Sequence, residues 1–106
     1  VSGMNRIKKP CYTDYVKRAL CFYSRYLNKT YFKNEVDKAN WNACNNVLKT
    51  YSDRDKDILI YVYGAFDTIG DNVYTMAKKY HINQTIIWDM MTELERKVAI
   101  ERGLWQ

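Results

Sequence analysis

The sequence predicts an all-α fold, a single domain of five helices. A length of 106 residues fits one compact domain, and a hydrophobic content of 47% is high enough to fill a core and exclude disorder. With only one proline and four glycines, helix breakers are scarce, which favours long helices over a turn-rich β fold. No apolar run approaches the roughly 20 residues that span a bilayer, so we expect no membrane partner and a cytoplasmic location.

The N-terminal part of the chain is predicted as an arm followed by a helix. Residues 1–10 are polar and basic and end at Pro10, which indicates a flexible basic arm ahead of a helical domain at 11–106. Thr13 can cap a first helix running to about Asn28. Apolar residues at spacings of three and four give this helix one core face: Val16, Ala19, Leu20, Tyr23 and Leu27.

Polar caps predict the two middle helices. Asn34 precedes a helix from Glu35 to about Thr50, and Ser52 precedes a helix from Asp53 to about Gly64. The alternating aspartates Asp53, Asp55 and Asp57 resemble the start of a calcium loop. The glycine and the distal glutamate of such a loop are absent, so we assign the acids to the helix dipole and expect no metal site.

Two further helices follow a predicted loop from Asp67 to Gly70. Asp71 is the predicted cap of a short helix that ends near Tyr80. Asn83 is the predicted cap of a long last helix that ends near Arg102, and Gly103 stands where a C-terminal glycine is expected.

The short connection between these helices predicts a helix-turn-helix at about residues 71–102, without a winged element. Only His81 and Ile82 separate Tyr80 from Asn83, and so short a turn makes the helices cross steeply. Ala77 supplies the small residue that the crossing needs, and histidine tolerates the left-handed backbone of the turn. Apolar residues are available for the pocket between the helices: Met76, Tyr80, Ile82 and Ile87.

Residues from about Trp41 to Leu104 resemble the promoter-reading C-terminal domain of bacterial sigma factors. The stretch 51–61 is similar to that family's L-x-x-R-x-R-x-V-L helix, and the stretch 73–87 to its I-A-x-x-L-G-I-S-x-x-T-V motif. The chain also looks like short sigma-like regulators of phages and mobile elements in Gram-positive bacteria. This resemblance implies binding to double-stranded DNA through the second helix of the motif, a role in transcription regulation, and contact with RNA polymerase.

When the two motifs are matched residue by residue, the resemblance implies that five residues contact DNA bases: Asn83, Gln84, Thr85, Trp88 and Asp89. Asparagine and glutamine can bond bidentately to adenine, and threonine can pack on a thymine methyl. Polarity at a helix N-terminus explains Gln84 and Thr85 equally well. Phosphate contacts are expected from nine basic residues: Lys78, Lys79, Arg96, Lys97, Arg102, Lys8, Lys9, Lys17 and Arg18.

The charge distribution departs from the sigma pattern. Residues 1–40 hold nine Lys/Arg and three Asp/Glu, whereas residues 41–106 hold eight and nine. The last helix carries Trp88 and Asp89, then Glu93 and Glu95, where the family has basic residues, so phosphate repulsion is expected there. For Trp88 we favour burial or a protein interface over a DNA contact.

The last helix also carries a coiled-coil-like seam. Its members step by four, three and four: Ile87, Met91, Leu94 and Val98. The spacing fits packing on the domain's own core, and the alternative is a homodimer through the last helix.

Three classes of function are compatible with the predicted motif, the resemblance and the charge distribution. The first is a DNA-binding transcription regulator, and the second is a protein-interaction module that docks RNA polymerase or another regulator without base readout. The third is a phage DNA-packaging or replication accessory protein.

An enzyme is not expected, because the single histidine His81 has a structural role and no Gly-rich phosphate loop is present. Three cysteines without C-x-x-C spacing indicate reduced thiols, and no cofactor is predicted.

Overall fold

A computed structural model describes the backbone of residues 2–104 and the side chains of residues 12–104. Within this range the chain forms five α-helices and no strand, which confirms the all-helical, single-domain prediction. The helices are α1 (Ser2–Arg25), α2 (Glu35–Leu48), α3 (Asp53–Val62), α4 (Ile69–Tyr80) and α5 (Gln84–Glu101). A 3₁₀ turn, Phe66–Thr68, leads into α4.

Helix α1 begins well before the predicted start at Thr13. Its backbone is helical from Ser2, through the segment predicted as a flexible arm. Arginine, lysine and methionine in that segment are good helix formers, although Pro10 lies inside the helix, where it lacks the N–H that would donate to the preceding turn. The side chains of residues 1–11 lie outside the described part, and with them the expected phosphate contacts of Lys8 and Lys9. Helix α1 ends at Arg25, before the predicted Asn28, and Leu27 is exposed rather than in the core.

Three of the predicted helix caps are confirmed by hydrogen bonds. The Asn34 Oδ1 accepts the backbone N–H of Asp37 at 2.8 Å, and the Ser52 Oγ accepts that of Asp55 at 3.2 Å. The Asn83 side chain accepts a backbone N–H at the start of α5. These bonds satisfy amide groups that the first helical turn leaves without an intrahelical partner.

The start of α4 differs from the prediction. The helix begins at Ile69 instead of following Asp71, which lies in the first turn. The amide of Asn72 donates to the backbone carbonyls of Tyr61 and Val62, so it ties the first turn of α4 to the last turn of α3. Ile69 is buried in the core, and this burial draws the predicted loop into a helix.

Helix α5 lies against the other four helices and supplies the centre of the core. Its seam residues are almost fully buried, with exposed fractions between 0 and 2%: Ile87, Met91, Leu94 and Val98. The seam therefore packs on the protein's own core, the first of the two alternatives.

A buried carboxylate joins α1, α3 and α5. The Glu95 side chain is 7% exposed and accepts hydrogen bonds from Lys17 Nζ at 3.0 Å and from Tyr63 Oη at 2.6 Å. Burial, followed by the charge of Glu95, raises the pKa of Tyr63 well above its usual value, so the phenol stays protonated and keeps donating. The expectation that Glu95 repels phosphate is wrong, because its charge is paired inside the fold.

Cys21 and Cys44 are free and buried, as predicted for thiols in helix cores. Burial raises the pKa of Cys44 to about 12 and also raises that of Cys21, so neither is a thiolate near neutral pH.

Across residues 12–104, no group of three or more His, Cys, Asp or Glu side chains is placed to hold a metal ion. Among the described helices, none combines the length and apolar character needed to cross a membrane.

Candidate nucleic-acid interface

The turn between α4 and α5 has the predicted helix-turn-helix geometry. His81 adopts a left-handed conformation with φ 55° and ψ 45°. The backbone N–H of Ile82 then donates to the carbonyl of Ala77 at 3.0 Å, closing the C-terminus of α4. Ala77 is buried between the two helices, where only a small side chain allows close approach.

Substitutions at His81 are expected to change stability in opposite directions. Glycine adopts the left-handed region without a Cβ penalty, so His81→Gly should raise the free energy of unfolding by up to about 1 kcal/mol. The β-branched His81→Val should lower it by about 1–2 kcal/mol. Urea unfolding followed by circular dichroism measures both. Equal stability of the two variants would show that the turn imposes no left-handed constraint.

The predicted base-reading residues share one exposed surface at the start of α5. All five are solvent-exposed: Asn83, Gln84, Thr85, Trp88 and Asp89. Trp88 is 41% exposed, so of the two favoured alternatives burial within the single chain does not occur, and a protein interface stays a prediction. The reason is helical geometry, because Ile87 and Met91 define the buried stripe of α5 and Trp88 projects away from it.

The cap at Asn83 limits what this residue can read. Its side-chain oxygen already accepts the backbone N–H of Thr85 at 2.8 Å. A bidentate contact to adenine needs both the amide oxygen and the amide nitrogen, so the oxygen would have to be shared with this cap or released from it. Among the hydrogen bonds of the described residues, none uses the side chain of Gln84 or Thr85, so both exposed side chains remain available to a ligand.

A shallow groove lies beside this surface, between α4 and the start of α5. Its lining residues are Tyr74, Ala77, Lys78, Ile82, Asn83 and Gln84. Tyr74 is half-exposed, and the Lys78 ammonium lies 5.5 Å from its ring centroid. Tyr74 is not among the residues predicted from the sequence, although its spacing of four from Lys78 places both on one helix face.

Most of the predicted phosphate-contacting residues of the motif already have partners within the protein. Lys79 forms an ion pair with Asp57 at 3.0 Å, and Arg96 forms one with Glu93. Arg102 Nε donates to Asn40 Oδ1 at 2.6 Å, and Lys97 lies over the Tyr51 ring. Lys78 is thus the cation of the motif that stands beside the base-reading surface without an acidic partner among the described side chains.

The two described basic residues predicted on α1 also have intramolecular contacts. Lys17 is paired with the buried Glu95, and this contact orients its ammonium into the fold. Arg18 is paired with Asp14 at 3.5 Å, but both side chains remain largely exposed. The structure therefore keeps Arg18 accessible to an anion and assigns Lys17 a stabilising contact.

Asp57 joins α3 to the end of α4. Tyr80 Oη donates to Asp57 Oδ2 at 2.5 Å, and Lys79 Nζ approaches the same oxygen at 3.0 Å. These hydrogen bonds, that of Tyr80 first, lower the pKa of Asp57 below its usual value. The contact fixes α4 on α3 through an exposed network, which positions the turn and hence the start of α5.

The first turn of α5 favours a bound phosphate, but the charges of the surrounding motif are balanced. The first turn carries no acidic residue, so its free N–H groups and the helix dipole are available to an anion. Asp89 lies one turn further on, and residues 69–104 hold five Lys/Arg and five Asp/Glu. The net charge of this region is therefore close to zero.

No protein-family model, curated protein or solved structure matches this chain, so the sigma-like resemblance remains a hypothesis.

Proposed function

We propose that this protein is a DNA-binding transcription regulator that inserts the N-terminus of α5 into the major groove. The observation that carries the proposal is the tight turn at His81, which presents Gln84 and Thr85 on an exposed helix start. Helices joined in this way present the second helix to the major groove in known motifs. In this proposal the protein has no catalytic role and acts in the cytoplasm.

The surroundings of this helix start support a specific rather than a purely electrostatic contact. Gln84 can bond to an adenine edge, Thr85 can pack on a thymine methyl, and Lys78 can neutralise a nearby phosphate. Because most other cations of the motif are paired, we expect few counterions to be released. The affinity should therefore fall less steeply with salt than that of strongly basic DNA-binding domains.

The proposal is tested by fluorescence anisotropy with a pool of labelled duplexes selected for binding. The double variant Gln84→Ala, Thr85→Ala should lose about tenfold or more in preference for the selected duplex, because each good base contact is worth about 1–3 kcal/mol. The matched control, Thr30→Ala with Asn42→Ala, removes two exposed polar side chains outside the motif and should keep the preference. Absence of duplex binding even at low salt would contradict the proposal.

A protein-interaction module is the second candidate, favoured by the exposed Trp88. This side chain is 41% exposed near the start of α5, and exposed tryptophans often anchor protein interfaces. In this reading α5 docks RNA polymerase or another regulator, and the motif is a scaffold. Failure of the duplex titration would favour it, and a pull-down of purified RNA polymerase that depends on Trp88 would then establish it.

A further inference from the structure

A groove outside the helix-turn-helix combines cations with aromatic rings. It is lined by Arg18, Cys21, Phe22, Arg25 and Tyr26 of α1 and by Phe66 of the 3₁₀ turn, and we call it the α1 groove. Lys29 extends it past the end of α1, with its ammonium 4.9 Å from the centroid of the Tyr26 ring. Spacings of four and seven place Arg18, Phe22 and Arg25 on one stripe of the helix.

The cations of the α1 groove are available to an outside anion. Among the described side chains, no carboxylate pairs with Arg25 or Lys29. Arg18 has only the exposed partner Asp14, at 3.5 Å, and such surface pairs are weak. The groove therefore carries three positive charges that the rest of the described fold leaves largely uncompensated.

The aromatic rings of the α1 groove are placed for stacking. The Arg18 guanidinium lies 4.4 Å above the Phe66 ring, and the Phe22 and Tyr26 rings are tilted by 53° with centroids 5.2 Å apart. Tyr26 is 43% exposed, while Phe22 and Phe66 are half-buried, so the rings border the open groove. A cation above a ring marks a face that a flat base could also occupy.

We propose that the α1 groove binds single-stranded nucleic acid. Bases would replace Lys29 on the Tyr26 ring and Arg18 on the Phe66 ring, and these displaced cations, together with Arg25, would pair with phosphates. A duplex hides its base faces in the helical stack, so the rings would add nothing to its binding. An acidic peptide would use the cations but has no need of ring faces. This binding goes beyond the proposed function, because it uses α1 and the 3₁₀ turn instead of α5.

The test compares a labelled oligothymidine single strand with a duplex of the same length, using the full chain in fluorescence anisotropy. The variant Tyr26→Leu, Phe66→Leu keeps every charge and should weaken single-strand binding about tenfold or more, with duplex binding unchanged. The variant Arg25→Gln, Lys29→Gln should weaken it as well and flatten its salt dependence. The matched control Lys38→Gln, Lys49→Gln makes the same change in net charge on the exposed surface of α2 and its C-terminal end, and should bind like the wild type.

The outcomes separate the single-strand site from the duplex site. Single-strand binding that survives the two leucines would overturn the proposal, as would equal capture of a labelled polyglutamate peptide. The Gln84→Ala, Thr85→Ala variant should keep its single-strand affinity, and its loss would place both activities on α5 and also overturn the proposal. Circular dichroism and urea unfolding of the leucine variant confirm that any loss occurs in a folded protein.

Discussion

Replacing Lys17 with methionine is expected to lower the free energy of unfolding by about 3 kcal/mol. The substitution removes the cation that compensates Glu95, whose side chain is 7% exposed, and leaves the Tyr63 hydroxyl as its remaining hydrogen-bond donor among the described side chains. Breaking a buried ion pair on one side costs about 3–5 kcal/mol, and the partial exposure of Lys17 favours the lower end. Urea unfolding of the wild type and the variant measures the difference.

Two further variants test the reason for this loss. Lys79→Met breaks an ion pair of similar length on the surface, where solvent screens the charges, and should lower the free energy of unfolding far less. Adding Glu95→Gln to Lys17→Met removes the buried charge while the amide oxygen still accepts from Tyr63, so much of the stability should return. If Lys17→Met costs no more than Lys79→Met, the Glu95 carboxylate does not depend on its cation.

Leu94→Ala is expected to lower the free energy of unfolding by about 3–5 kcal/mol, because it leaves a cavity at the centre of the domain. Leu94 is fully buried in the single chain, within the seam of α5. Since the seam packs on the protein's own core, the unfolding midpoint of the wild type and the variant should not depend on protein concentration. Urea unfolding at low and high concentration measures both effects.

Ile100→Ala is the control for the Leu94 variant. This residue lies on the same helix but is 45% exposed, so its truncation should cost less than about 1 kcal/mol. A midpoint that rises with protein concentration in the wild type would show that association stabilises the fold. Such a dimer would have to form through a surface other than the buried seam of α5.

Local chemistry was enough to predict much of the helical frame. Asn34, Ser52 and Asn83 each cap a helix through a bond to a residue two or three positions away, so the sequence pattern contains both partners. The left-handed turn at His81 and the positive φ of Gly103 follow from the same short-range rules. The buried seam of α5 follows from its periodicity, although the spacing alone left a dimer open as the alternative to packing on the domain's own core.

Local patterns in the sequence thus predict the number of helices, most of their ends and the turn that exposes the start of α5. Tertiary structure decided where α4 begins, because the amide of Asn72 bonds to carbonyls of α3 that lie ten and eleven residues earlier. It also decided the burial of Glu95 against Lys17, a partner 78 residues away, and the approach of Arg18 to Phe66 in the α1 groove. Periodicity shows which face of a helix is apolar, but only the packed fold shows which distant charges and rings meet there.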